Sequence, residues 1–339
     1  MSGSGLRKAA VSTLRAAGVP AALRRLNRSR PAILIYHGFS ERPSLESVNG
    51  HLHMHRDVFE RQLRFFREHH RVAPLRDVVA LAAEGRPAPG NALALTSDDG
   101  YGSVYQIAFP LLEKYDASMT VFLASDFVDG SDHLWHDRVA YCVDSRGQQR
   151  SAPIEMPIGD ETLLLDFSSP ASRAHGTRAM FDRIKLMGPA ERAPVLAELE
   201  ARSGFRLGDS GPVPPEFAHL TWPQVREMIA SGRVSFGSHT KTHSILTRCS
   251  EAEVEHELTT SKRRIEEETG EACDAFCYPN GTPADVSDEI GRTIERCGYG
   301  SAFTGSPGLV SRASDPFALP RFSANRPLET LEFRIAGLG

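Results

Sequence analysis

The chain has 339 residues, 40% of them apolar and 24% charged, with a formal net charge of −4. These values describe a globular chain able to bury a sizeable core, and they exclude a nucleic-acid partner, which would call for a basic surface. Five cysteines without a CxxC spacing argue against a disulfide framework and for reduced thiols, and no apolar run approaches the length of a membrane span.

Residues 1–40 contain no acid, while Arg7, Lys8, Arg15, Arg24, Arg25, Arg28 and Arg30 are basic. Leu6, Val11, Leu14, Val19, Leu23 and Leu26 recur among them at roughly helical intervals. They never form the continuous apolar run of a secretory signal. Residues 1–30 therefore read as a basic extension. It is either a solvated or domain-packed helix, or an amphipathic one resting on an anionic membrane face.

Ile33–Tyr36 predicts a first buried strand, closing on His37-Gly38. The segment His51–His55, HLHMH, has three histidines at alternate positions, a metal spacing in some barrel hydrolases. It runs straight into a helix, so it reads as a surface ribbon. Asp57 is expected to cap that helix, with Phe59, Leu63 and Phe66 as its core stripe and His69-His70 at its end. A helix over Leu75–Glu84 and a loop over Gly85–Gly90 follow.

Ala92–Thr96 is an apolar run of strand length that stops at Asp98, Asp99 and Gly100. In parallel α/β folds, ligands and catalytic groups gather at the carboxyl ends of strands. Two adjacent aspartates there can divide the work, one on a cation and the other free as a base. They can equally serve a turn. A helix over Val104–Lys114 and a strand over Met119–Ala124 extend an alternation that argues for a parallel sheet or barrel.

The alternation stops between Ser125 and about His219. This stretch, with a helical part near Arg173–Ser203, is expected to be an insertion on the catalytic rim without a core of its own. Its Trp135-His136-Asp137 trio reads either as a wall of a substrate groove or as a local packing cluster. A helix over Trp222–Ser231 then leads to a strand, Val234–Phe236, ending at Gly237-Ser238-His239. Ser250 and Glu253 form a capping box for a helix that Gly270 stops. Further strands are expected at Ala275–Tyr278, Gly300–Phe303 and Phe317–Phe322, with helices over Val286–Cys297 and Leu328–Ala336. About seven parallel strands result.

His239 and His243 stand four apart just after a strand, a spacing at which two imidazoles can reach one cation. Alone, the pair is weak in a chain with 13 histidines. Added to a strand-end carboxylate, it makes the open ligand set of a catalytic zinc site. Non-haem iron uses a similar set, so a divalent metal is implied and zinc is favoured.

TSDDG at 96–100 and SHTKTH at 238–243 resemble the first two motifs of the NodB-like polysaccharide deacetylase family, the metal-dependent carbohydrate esterases. The usual first motif has phenylalanine where this chain has Ser97. The resemblance covers roughly Pro31–Arg334 and implies a distorted (β/α)7 barrel, TIM-barrel-like, over 31–339, with 125–219 inserted. It further implies that Asp99, His239 and His243 hold the metal and that Asp98 is the free base. A cation acidifies water and polarises an amide oxygen, and a carboxylate beside it but unbound is a natural base.

The late motifs depart from the family's form. Phe276–Gly281 occupies the third slot with Cys277 where an arginine is usual, and Tyr278, Pro279 and Asn280 follow. The backbone N–H of Asn280 is the candidate oxyanion donor, with Tyr278 and Trp135 as candidate substrate contacts. Arg321 is the candidate replacement for the lost arginine; otherwise it is a structural arginine paired to a loop carboxylate. No catalytic histidine comes late, since His256 is expected to be solvated. A permuted form of the family has it after the first strand, which makes His37 the candidate acid.

The resemblance implies hydrolysis of the acetamido group of an N-acetylated sugar in a glycan or glycan precursor. The alternatives are another amide or an O-acetyl ester at the same site, or a glycan-binding barrel without chemistry. The thiols and the lack of a signal suggest a cytoplasmic enzyme on a lipid- or nucleotide-linked precursor, with the basic extension perched on the inner membrane.

Overall fold

The structure, a computed structural model, describes residues 11–42, 47–149, 152–209 and 211–338. The basic residues Arg7 and Lys8 of the extension, with Leu6, lie outside them. Seven parallel strands form one curled sheet: β1 (Ala32–Tyr36), β2 (Leu93–Ser97), β3 (Met119–Leu123), β4 (Val234–Ser238), β5 (Ala275–Cys277), β6 (Ser301–Phe303) and β7 (Phe322–Ser323). Their order across the sheet is β6-β5-β4-β3-β2-β1-β7. Every residue of β1, β2 and β3 is buried. Helices cover the outside of the sheet and side chains fill the inside, so these strands are continuous apolar runs without alternation.

One segment joins the two sheet edges. Leu319 bridges Phe303 of β6, donating its N–H to Ala302 and accepting from Thr304. Three residues later Phe322 and Ser323 pair with Leu34 and Ile35 of β1. The expected strand Phe317–Phe322 is thus corrected to the two residues of β7. Pro320 has no N–H for a ladder, and the Arg321 N–H turns to the Ser306 carbonyl.

Register sets the rim. Tyr36 lies opposite Ser97, Leu123 opposite Ser238 and Cys277 opposite Phe303. The residues that follow the strands, His37, Asp98, His239 and Tyr278, therefore emerge at one end of the barrel. The helix Glu251–Thr269 begins at the expected Ser250/Glu253 capping box and buries Val254, Glu257, Leu258, Ser261 and Ile265 along one stripe.

Three local expectations are corrected. His55, not Asp57, caps the helix Arg56–His69, its Nδ1 accepting from the Asp57 N–H at 3.3 Å. The segment expected as one helix from Val104 opens as a π turn over Val104–Ala108, the Phe109 N–H reaching back to Val104, and continues as an α-helix over Phe109–Tyr115 with Pro110 in its first turn. The HLHMH segment does pair as a short ribbon with Gly38–Ser40, yet His53 is buried. Its ring lies so close to Gly38 that a Cβ there would meet it at 2.1 Å.

The 125–219 stretch also differs from expectation. It contains helices Trp135–Gln148, Pro170–Ile184 and Pro189–Ser203 and a hairpin, Ile154–Ile158 with Glu161–Leu165. Trp135, Val139, Met156, Leu165, Met180 and Leu196 belong to a hydrophobic cluster separate from the main core. Alternating apolar residues in the hairpin and helical stripes on either side are enough to bury a core of their own.

The helix Val19–Leu26 packs on the closing helix Leu328–Ile335. Arg15 and Arg24 both reach the buried Glu332, at 2.7 and 3.1 Å, and Asn27 donates to the Ala336 carbonyl at 2.8 Å. No described helix is long and apolar enough to cross a membrane. All five cysteines are free.

Candidate metal centre and active site

The β2 strand ends in Thr96 and Ser97, then releases Asp98 and Asp99 in opposite directions. Asp99 does so by adopting φ 76°, a left-handed conformation uncommon for a residue with a side chain. Six non-glycine residues have positive φ among the described residues, and four of them, Asp99, Thr240, His243 and Asn280, belong to this site. Backbone strain concentrated in this way is a mark of functional loops.

Asp99 faces His239 and His243, with Nε2 of each 3.4 and 3.1 Å from Oδ1. The Nδ1 of His239 lies 2.8 Å from the Cys277 carbonyl, which can only accept, so that nitrogen carries the proton. In the neutral ring Nε2 is then a lone pair aimed at a carboxylate. Neither oxygen of Asp99 receives any other hydrogen bond, although both are buried. Two acceptors facing each other in a dry site are repulsive unless a cation lies between them. The three ligand atoms lie within 4.8 Å of one another, and these residues fit a divalent cation. Burial would raise the Asp99 pKa, yet the two histidines beside it hold it well below the usual carboxylate range. Burial lowers His243, while on His239 burial is outweighed by Cys277 and Asp99, which raise it, the direction expected where the carboxylate calls for a positive charge between the two groups. An anionic carboxylate and neutral imidazole are the ligand forms.

The histidine loop is pinned from behind. Glu257 accepts from the N–H groups of Lys241 and Thr242, each at 2.8 Å, and from the Thr242 hydroxyl at 2.6 Å. Ser238 bonds Ser261 at 2.6 Å, and the Ser244 N–H donates to Thr240 Oγ1 at 3.1 Å. Glu257 escaped the sequence reading, though a signal existed: it is an acid within the apolar stripe of Val254, Leu258 and Ile265.

Asp98 turns the other way, into a bidentate pair with Arg321, whose two terminal nitrogens donate to its two oxygens at 2.8 Å each. Arg321 is 1% exposed and spends its other donors on Thr96 Oγ1 and the Thr304 carbonyl. Cys277 sits against it, Sγ 2.8 Å from Nη2. Burial pushes Asp98 up, but the guanidinium outweighs it and holds the carboxyl below its ordinary pKa. Burial raises the Cys277 thiol, so the arginine's charge is left to Asp98.

His37, Asp98, Asp99, Trp135, His239, His243, Tyr278, Asn280 and Arg321 all line one cleft of about 220 Å³. The Asn280 backbone N–H finds no acceptor among the described residues, and its φ of 62° is held by Asp285, which accepts from the Asn280 amide. Tyr278 lines the cleft with its hydroxyl engaged elsewhere. Its hydroxyl donates to the Phe317 carbonyl at 2.9 Å, leaving only its ring and backbone on the cleft side. Trp135 lines the cleft and packs edge-on against His136 and Phe181. His136 lines the cleft as well, while Asp137 belongs to a buried network behind it. Asp137 accepts from Tyr101 at 2.9 Å and Asn49 at 3.1 Å, and the His136 ring packs on His243. His256 is exposed, as expected. The sequence reading missed His51, Phe181 and Lys185, which also line the cleft.

A larger cavity, about 480 Å³, opens at the other end of the strands near Ser118, Arg233 and Asp274. It holds none of the motif residues, and chemistry in parallel barrels belongs to the carboxyl ends.

Barrel, motifs and strand-end carboxylates are similar to those of the polysaccharide deacetylases. The model of the polysaccharide deacetylase family matches residues 189–302, which include both histidines and the Phe276–Gly281 loop. The Streptococcus pyogenes deacetylase PplD, solved with acetate, is similar over 87% of this chain and 92% of its own, at 20% identity and a TM-score of 0.56. IcaB from Ammonifex degensii shares 19% identity over 91% of this chain and 98% of its own, with a TM-score of 0.54. A de-N-acetylase from Aggregatibacter actinomycetemcomitans shares 14% over 90% and 99%, again at 0.54. At such identities the likeness carries the fold. A search of curated proteins finds no match.

Proposed function

We propose that this protein is a metal-dependent N-deacetylase that removes the acetyl group from an N-acetylated sugar of a glycan or glycan precursor. The observation that carries the reading is the division of two adjacent carboxylates, Asp99 among acceptors that need a cation and Asp98 ion-paired beside it, in one cleft. Asp99, His239 and His243 would hold the cation, with zinc favoured by the ligand types. When bound, such an ion acidifies water and polarises the acetamido oxygen.

The chain's own residues supply the rest. Asp98, kept ionised and oriented by Arg321, takes the proton from the attacking water. The Asn280 N–H donates to the oxyanion of the tetrahedral intermediate. His37, from the same cleft wall, protonates the leaving amine. Trp135 and Phe181 offer flat apolar faces for a sugar ring. Acetate bound to PplD is the product such a reaction releases.

A lipid- or nucleotide-linked precursor and a cytoplasmic, inner-membrane-associated location remain part of the proposal. Arg25, Arg28, Leu14 and Leu26 are exposed along the amino-terminal segment and give it basic and apolar groups to rest on the lipid.

The test is acetate release from N-acetylglucosamine oligosaccharides by the metal-loaded protein, with Asp98→Asn as the inactive control. Release by wild type alone is expected. Equal release by Asp98→Asn would refute the mechanism.

A further inference from the structure

Beside the catalytic cleft lies a second lobe of about 230 Å³, lined by Tyr36, Met54, Ser323, Asn325 and Arg326. The two lobes share Ile35, His37, His51 and Leu52 as their common wall. Their charge is one-sided. Among the described residues the only carboxylates on either lining are Asp98 and Asp99, one locked to Arg321 and the other to the two imidazoles. Lys185, half-buried in the first lobe, and Arg326, exposed in the second, have no carboxylate partner among the described residues. His51 stands between the lobes. Its pKa lies below the ordinary imidazole value, through desolvation first and then through positive neighbours, Lys185 and Arg178 among them.

Unpaired cations along a cleft that must admit a sugar, the half-buried Lys185 above all, lose water when the cleft fills, at a cost unless an anion meets them. Resting on the deacetylase reading above, we infer that the substrate carries an anionic group, a phosphate or a carboxylate, on the unit next to the acetamido sugar. Lys185 and Arg326 are its contacts. Lys185 comes from the 125–219 insertion and Arg326 from the segment after β7, so the subsite spans the two parts of the chain.

The experiment compares an N-acetylglucosamine disaccharide, the same disaccharide as its reducing-end phosphate, and an analogue with a uronate as the second sugar. Acetate release and calorimetric binding are both measured, for wild type, Lys185→Met, Arg326→Met and Lys185→Arg. Wild type should favour one anionic ligand over the neutral one by about tenfold or more. The preference should shrink several-fold in either methionine variant through KM, persist in Lys185→Arg and weaken with salt. Whether phosphate or uronate gains most identifies the source of the charge. Release with no preference among the three ligands would overturn the subsite alone. Selective binding without any acetate release would overturn the deacetylase reading and leave the anion site standing.

Discussion

Arg321 reaches across 223 residues of sequence to hold both oxygens of Asp98 in a pair of 2.8 Å hydrogen bonds. Cys277 stands where the motif this chain resembles usually has an arginine, and its sulfur packs against this same guanidinium. Removing one partner of a buried ion pair strands the other, at about 3–5 kcal/mol. Arg321→Met should lose roughly that much stability in denaturant titration and most of its turnover, with metal content intact. The double variant Arg321→Met/Asp98→Asn should recover stability without recovering turnover. Full activity in the single variant would remove Arg321 from the mechanism.

Elemental analysis of purified protein should find about one divalent ion per chain, lost in Asp99→Ala and in His239→Ala. Metal that survives both substitutions would belong elsewhere, with the HLHMH histidines the first place to look.

Glu257 touches no ligand atom, yet it ties down the backbone that holds His243 at φ 57°. Partners that orient metal ligands commonly matter about 10–100-fold in affinity. A chelator competition should show Glu257→Ala releasing metal at correspondingly lower chelator concentration, with Glu257→Gln between it and wild type.

His37→Ala should reduce acetamide turnover by about 10²–10⁴-fold, since an amine must be protonated to leave. An aryl acetate has a leaving group that needs no proton, so its hydrolysis should fall far less. Equal losses on both substrates would argue against His37 as the acid.

His70 donates from Nδ1 to the Asn91 carbonyl, and its pKa is lowered to about 4, chiefly by burial. The unfolded chain takes up that proton near pH 6.5 and the folded one only near 4, so stability is fully present above 6.5 and drains away as pH falls through this window. The slope is about 1.4 kcal/mol per pH unit for one proton. In His70→Gln, chemical denaturation between pH 7 and 4 should show an acid limb flatter by that amount.

The barrel, its strand count and both metal-site motifs were readable because they are local. An apolar run with polar residues at one end announces a buried strand and its catalytic edge within ten residues of chain. The capping box at Ser250 is equally short-ranged. Where the reading slipped, the deciding partner was remote. Nothing near His53 shows that its ring will cover Gly38, and nothing near Phe317 shows that its segment must serve two sheet edges. The insertion's own core was hidden because its apolar residues are shared among a hairpin and three helices.

The sequence by itself determined the chemistry available: two carboxylates on one strand end, two imidazoles on another, and the strand-helix rhythm that brings strand ends to one rim. Tertiary structure decided which charges meet. Closing the barrel set β7 beside β1, and so delivered Arg321 to Asp98 and Arg326 to the wall that holds His37. The folding of the insertion brought Lys185 and Trp135 to the same cleft. Such meetings depend on the curvature and register of the whole sheet, which no run of neighbouring residues encodes.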